Sequence, residues 1–194
     1  MKSEIKSKIN LRLMEFKQRK TANEIFKELC FCILTANYTA EGGIRIQKSI
    51  NNGFLTLNEE ELKERLKKEK YRFPNIRADY IYSNRNKIID LKKTLEQKKG
   101  NELREWIVKN IKGIGYKEAS HFLRNIGYLN YAIIDFHIID LLVKHKLIKK
   151  PKTLTKNKYL EIEKILTKIA KKLNITLGEL DLYLWYIETG KVLK

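Results

Sequence analysis

The sequence predicts an all-α protein, and three observations carry that expectation. Most segments space their apolar residues at the helical period. Only two prolines, Pro74 and Pro151, and nine glycines punctuate the 194 residues. No stretch alternates apolar and polar residues long enough to build a sheet, and the one strand-like run, Ala132-Ile133-Ile134, is too short. A hydrophobic fraction of 43% is ample for a packed core and argues against intrinsic disorder. A chain of this length buries roughly 70% of its unfolded surface.

The elements follow in order. Ile5, Ile9, Leu11 and Phe16 mark a first helix. Ile25 to Ala36 is nearly all apolar, as a helix buried on every side would be. Glu41 to Ile50 comes next, and then Asn58 caps a helix from Glu59 to Leu66 with acids in its first turn. Pro74 suits the first turn of a helix running to about Leu91. Glu102 to Asn110 and Tyr116 to Asn125 bracket a tight turn. Asp135 caps a helix to about Lys146, and Lys158 to Lys172 and Leu177 to Thr189 close the chain. There is no internal repeat and no Gly/Ser linker.

Composition narrows the function classes. The longest uncharged stretch, Leu29 to Ala40, falls short of the about 20 residues a bilayer span needs. Charges run through Met1 to Lys20, so no secretory leader is expected and the chain reads as a soluble, intracellular protein. The two cysteines, Cys30 and Cys32, lie two apart on a helix, cannot face each other, and read as buried apolar thiols. Two are also too few for an iron–sulfur cluster, which commonly takes four.

Charge is the first functional clue. Lys and Arg number 41 against 23 Asp and Glu, a net charge of +18. Half of that excess lies between Leu141 and Ile175, with eleven lysines and two acids. Such a surplus favours a polyanion, whose neutralised phosphates release counterions. A chain rich in lysine throughout would give the same count.

Ile111-Lys112-Gly113-Ile114-Gly115-Tyr116-Lys117 sits between two amphipathic segments. Two glycines around one apolar residue let the backbone turn tightly and approach a ligand, while Ile114 pins the turn to the core. The amides opening the Tyr116 helix are then placed to bind a phosphate, aided by the helix dipole. This is the physics of a helix-hairpin-helix clamp on the DNA backbone; a helix–helix turn without a ligand has the same glycines. Eighteen residues after Lys117 comes Asp135, behind the apolar triplet Ala132-Ile133-Ile134 and ahead of Phe136-His137. Taken alone, Asp135 is an N-cap and Lys117 one more surface lysine.

Taken together, Lys112 to Lys117 followed at this spacing by Ile134-Asp135-Phe136-His137 resembles the helix-hairpin-helix DNA glycosylase superfamily, that of endonuclease III. A closer likeness runs over nearly the whole chain. Glu28 to Asn37, Glu41 to Gln47, Tyr116 to Asn125 and the ending Gly190-Lys191-Val192-Leu193-Lys194 are similar to the second, archaeal-type class of 8-oxoguanine DNA glycosylase/AP lyases. The lack of a cysteine-rich C-terminal cluster sets the chain apart from the iron–sulfur branches.

The resemblance implies two helical lobes with the hairpin at the cleft, forming one catalytic unit over 1–194. The lobes would be approximately 37–135, and 1–36 plus 136–194. It implies Lys117 as the nucleophile that forms a Schiff base and leads to β-elimination. An amine attacks only in its neutral form. Asp135 would stabilise charge developing on the sugar. Lys112, Gly113, Gly115, Tyr116 and His137 would contact DNA phosphates, although His137 could equally be an ordinary surface histidine. Phe73 and Trp185 would stack on the extruded base, with core packing the other reading for Trp185. Lys194 would offer its terminal carboxylate as the acceptor that tells the N7-protonated lesion from guanine. Asn37 would fill the gap opposite the flipped nucleotide, or simply cap its helix.

No iron–sulfur or other metal site is implied; a monovalent cation on the hairpin carbonyls is compatible with the motif. The implied partner is double-stranded DNA carrying 8-oxoguanine or abasic sites, met by a monomer in the prokaryotic cytoplasm at the nucleoid. Two other functions remain consistent with the residues: a non-catalytic helix-hairpin-helix DNA-binding module, and a glycosylase for another oxidised base.

Overall fold

The structure, a computed structural model, describes residues 2–194, and among them it is helical with no strand. The helices in chain order are α1 (Lys2–Lys17), α2 (Ala22–Thr35), α3 (Ala40–Ile50), α4 (Gly53–Thr56), α5 (Glu59–Lys68) and α6 (Pro74–Asn84). A 3-10 turn at Arg85–Lys87 leads to α7 (Ile88–Gln97) and α8 (Gly100–Asn110). Then come α9 (Tyr116–Asn125), α10 (Phe136–Lys144), α11 (Lys156–Lys172) and α12 (Leu177–Thr189).

Local chemistry sets many of the ends. Thr21 opens α2 with a capping box: its hydroxyl accepts from Glu24 N–H at 3.3 Å, and the Glu24 carboxylate accepts from Thr21 N–H at 2.7 Å. Asn58 and Glu61 repeat the device at α5, at 2.9 and 2.7 Å. Pro74 occupies the first turn of α6, as its fixed φ allows.

One expectation is corrected. The helix expected from Pro74 to about Leu91 is broken after Asn84, whose side chain is committed elsewhere, while Arg85 Nε donates to the Phe54 carbonyl at 2.8 Å. In α1 the buried stripe is Ile9, Leu13 and Phe16, spaced four and three apart, and Leu11 on another face is 55% exposed.

Two units make up the chain. The first to be described, Arg19–Phe122, is built around α2, where Phe26 and every residue from Leu29 to Leu34 are buried. Helices α3, α4, α6 and α7 pack on α2, and α5 packs on α6. Arg104 is fully buried within it, donating to Ser120 Oγ at 3.2 Å and Asn101 Oδ1 at 2.7 Å. Burial also pushes the Cys30 thiol up, and both cysteines are inaccessible.

The second unit is Met1–Gln18 with Leu123–Lys194. Its core holds Ile9, Leu13, Phe16, Leu129 and Leu182, with Ile5, Tyr183 and Val192 against them. Arg124 ties it together: the guanidinium pairs with Asp181, donates from Nη2 to Asn125 Oδ1 at 3.0 Å and lies 4.9 Å from the Phe16 ring centroid. The units divide at 18/19 and 122/123, whereas the expected lobes divided at 36/37 and 135/136. The boundary before α2 follows from the packing of α3, α4, α6 and α7 on it.

Candidate active site

The hairpin between α8 and α9 is held from a distance. Asn84, 2% exposed at the end of α6, donates from Nδ2 to the Lys112 carbonyl at 2.9 Å and accepts Lys112 N–H at 3.0 Å. Both backbone groups of Lys112 are thereby paired by one amide. Gly113 adopts φ +79°, and a Cβ there would meet Tyr80 Cδ2 at 2.3 Å, so conformation and space both demand glycine. Ile114 is buried, as expected.

Gly115 differs from Gly113. A Cβ there would meet only Glu118 Oε2 at 3.2 Å, so the fold itself barely requires glycine and the surface stays open to a close-approaching ligand. The first bond back along α9 runs from Ala119 N–H to the Gly115 carbonyl at 2.9 Å. The opening turn of a helix is the end whose amides and dipole suit an anion.

Lys117 lies in this first turn with its side chain 25% exposed and Nζ 3.9 Å from Glu118 Oε1. Tyr116 hydrogen-bonds Glu105 and carries the Arg104 guanidinium 5.2 Å from its ring centroid. The Lys112 ammonium, still 58% exposed, turns toward α6, 3.2 Å from Ser83 Oγ and 3.8 Å from Asp79 Oδ1.

Elsewhere in this unit Asn37 and Phe73 are brought to one corner. Thr35–Tyr38 forms a turn closed by Tyr38 N–H to the Thr35 carbonyl at 3.1 Å. Ala36 (φ −64°, ψ 112°) and Asn37 (φ +59°) give it type II geometry, in which Asn is favoured at the left-handed position. Asn37 is exposed. Tyr71 donates its hydroxyl to the Leu34 carbonyl at 2.7 Å, and Arg77 Nη2 donates to the Ala36 carbonyl at 3.1 Å. Burial pushes the Tyr71 phenol up, against the opposing charge of Arg77. Phe73 stands beside them, half-buried, with Arg72 and Arg77 4.9 and 5.9 Å from its ring centroid. Cation–π contacts of this kind hold a ring without burying it.

In the other unit Asp135 caps α10, its Oδ1 accepting Ile138 N–H at 3.0 Å. Its second oxygen has no bond among the described residues. Capping and chemistry are therefore compatible in one carboxylate. His137 sits edge-on to Trp185, ring centroids 5.7 Å apart, so these two expected residues meet. Trp185 is half-buried and its indole N–H is buried without a hydrogen-bond partner among the described residues. The tail beyond α12 is docked rather than frayed: Val192 packs on the Ile9 core, and Leu193 and Lys194 are half-buried.

Sequence reasoning missed several residues. Phe136, 67% exposed, lies against His137 with centroids 3.9 Å apart, and an aromatic left in solvent beside a capping Asp was a readable signal. Asn84, Tyr159 and Glu163 gave no signal, because the backbone each one holds lies 25–31 residues away in sequence. No group of three or more His, Cys, Asp or Glu able to hold a metal occurs among the described residues. None of their helices is long and apolar enough to cross a membrane.

An all-α chain whose glycine hairpin opens a helix, with a lysine in that first turn, is a helix-hairpin-helix protein. Comparison makes the assignment narrower. The chain belongs to the 8-oxoguanine DNA glycosylase family, whose model matches residues 9–175. It is 57% identical to the 8-oxoguanine DNA glycosylase/AP lyase of Methanocaldococcus jannaschii, over 99% of this chain and 94% of that one. It is 52% identical to the protein of that description from Korarchaeum cryptofilum, over 99% and 93%. Its fold matches the crystal structure of the M. jannaschii 8-oxoguanine glycosylase/lyase in complex with a 15mer DNA containing 8-oxoguanine. There the TM-score is 0.95 at 55% identity, covering 98% of this chain and 94% of that one.

Proposed function

We propose that this chain is a bifunctional base-excision enzyme: it removes 8-oxoguanine from duplex DNA and then nicks the strand. The observation that carries the reading is Lys117, a part-buried amine in the first turn of a helix whose preceding hairpin is built to meet phosphate. Family membership over nearly the whole chain supplies the substrate class.

The Lys117 amine, in its neutral form, gives its lone pair to the sugar C1′, and the C1′–N9 bond breaks with its electrons leaving on the base. Asp135, through the oxygen that does not cap α10, faces the positive charge that develops on the sugar and takes up the proton released. Asp135 returns that proton to O4′ as the C1′–O4′ bond breaks, which leaves a protonated Schiff base between Lys117 and C1′, while the departing base takes a proton from water. Loss of a C2′ proton to water then expels the 3′ phosphate oxygen, which is β-elimination.

The hairpin amides, Gly113 and Gly115, with Lys112, Tyr116 and His137, bind phosphates of the DNA. Phe73 and Trp185 offer faces to the extruded base, and the unpartnered Trp185 indole N–H is a donor left over for a ligand. The docked tail supports Lys194 as the lesion-reading acceptor, and the exposed Asn37 turn supports the gap-filling role. Such stacking contributes about 1–3 kcal/mol per base. One chain supplies both Lys117 and Asp135, so a monomer suffices, acting at the nucleoid. The chemistry calls on no metal cofactor. A monovalent cation on the hairpin carbonyls would share them with Asn84, which already donates to that of Lys112.

A panel of end-labelled duplexes carrying 8-oxoguanine, thymine glycol, an abasic site or undamaged guanine tests the reading. Cleavage at 8-oxoguanine and at the abasic site, with guanine spared, is expected. Cleavage of thymine glycol with 8-oxoguanine ignored would overturn the substrate, and binding without any cleavage would leave only a DNA-binding module.

A further inference from the structure

Asp135 is preceded by a buried segment that has no regular structure to hold it. Ala132, Ile133 and Ile134 are 2, 8 and 0% exposed, yet no strand pairs with them. Buried backbone groups must be satisfied, and here two side chains of α11 do so. The Tyr159 hydroxyl donates to the Ala132 carbonyl at 2.7 Å and accepts Ile134 N–H at 3.3 Å. The Glu163 carboxylate accepts Ala132 N–H at 3.0 Å. Tyr159 and Glu163 are four apart, hence on one face of α11, and together they replace the neighbouring strand that this stretch lacks.

On its other side Asp135 is fixed by α10, through the cap to Ile138 and the bond from Ile139 N–H to the Asp135 carbonyl at 3.0 Å. The backbone of Asp135 is thus set between a helix start and a segment clamped by α11. We infer that Tyr159 and Glu163 are positioning residues for Asp135, holding its open carboxylate oxygen in the place where the reaction needs it. This rests on the role given to Asp135 above. Reacting groups tolerate little displacement: a shift of about 1 Å can lower a rate roughly 100-fold.

The test compares wild type with Tyr159→Phe, Glu163→Ala and Glu163→Gln. Tyr159→Phe removes one oxygen and preserves the buried ring, and Glu163→Gln preserves an acceptor for Ala132 N–H. Three quantities are measured: the single-turnover rate of 8-oxoguanine excision, the affinity for uncleaved abasic-analogue DNA, and amide exchange at Ala132 and Ile134. The expected result is an excision rate lower by roughly 10- to 100-fold for Tyr159→Phe and Glu163→Ala. Their DNA affinity should stay within about twofold, exchange should quicken at the two amides, and Glu163→Gln should restore most of the rate. Excision by these two variants at the wild-type rate would overturn the inference, as would a loss of affinity as large as the loss of rate. If the wild type itself fails to excise 8-oxoguanine, the proposed function falls and this inference with it.

Discussion

The glycine hairpin and the approach to Asp135 solve one problem in two ways. Each is an irregular segment, and each has backbone groups satisfied by side chains of a helix distant in sequence. At the hairpin a single amide, Asn84, pairs both the N–H and the carbonyl of Lys112. At the approach, Tyr159 and Glu163 share the work along one face of α11. Asn84 works from a helix end, and α6 stops there. Tyr159 and Glu163 work from one face of a helix that runs on unbroken from Lys156 to Lys172. The hairpin also imposes a conformation, φ +79° at Gly113, that only glycine adopts without strain. A clamp from a helix face needs no special backbone, and so it leaves no mark in the segment it holds.

The largest effect expected from breaking this pair is at the hairpin. Asn84→Ala removes the partner of both backbone groups of Lys112, each hydrogen bond worth about 0.5–1.5 kcal/mol, and the loss should appear as a lowered unfolding midpoint in denaturant. Gly113→Ala should cost somewhat less, about 1–2 kcal/mol from the left-handed conformation plus whatever Tyr80 must yield. If Asn84→Ala leaves stability unchanged, the hairpin is held by its glycines alone and the parallel with Asp135 fails.

Asp135 itself separates capping from chemistry. Asp135→Ala should lower stability by about 1 kcal/mol, the usual worth of an N-cap, whereas Asp135→Asn should leave it nearly intact because Asn caps equally well. Both should lose excision. Activity in Asp135→Asn would reduce the residue to a cap.

The smallest stability effect is expected at Gly115, within about 0.5 kcal/mol for Gly115→Ala, as at an unstrained surface position. Its readout is DNA affinity, which should weaken severalfold as the new methyl holds the phosphate away. Equal binding by Gly115→Ala and wild type would mean that the backbone there never approaches a ligand closely.

These contrasts explain which parts could be read from residues alone. Gly113, Ile114, Gly115 and the cap at Asp135 act on their immediate neighbours, so spacing revealed them. The breaks and boundaries depended on partners far along the chain. α6 gives way to a 3-10 turn just where Asn84 pairs with Lys112, far along the chain, and α2 belongs with the helices after it because they cover its apolar faces. Arg104 and Arg124 entered the net charge like every other arginine, yet they are 0% and 3% exposed inside the two units. Burial of a charge depends on who waits to receive it: Ser120 and Asn101 for one, Asp181 and Asn125 for the other.

The most direct measurement is borohydride trapping on a labelled duplex with one 8-oxoguanine opposite cytosine, run with wild type and Lys117→Gln. The account predicts a covalent protein–DNA band with the wild type and none with Lys117→Gln, while the variant still binds the duplex. A band of equal strength with Lys117→Gln would contradict it, because another amine would then be the nucleophile.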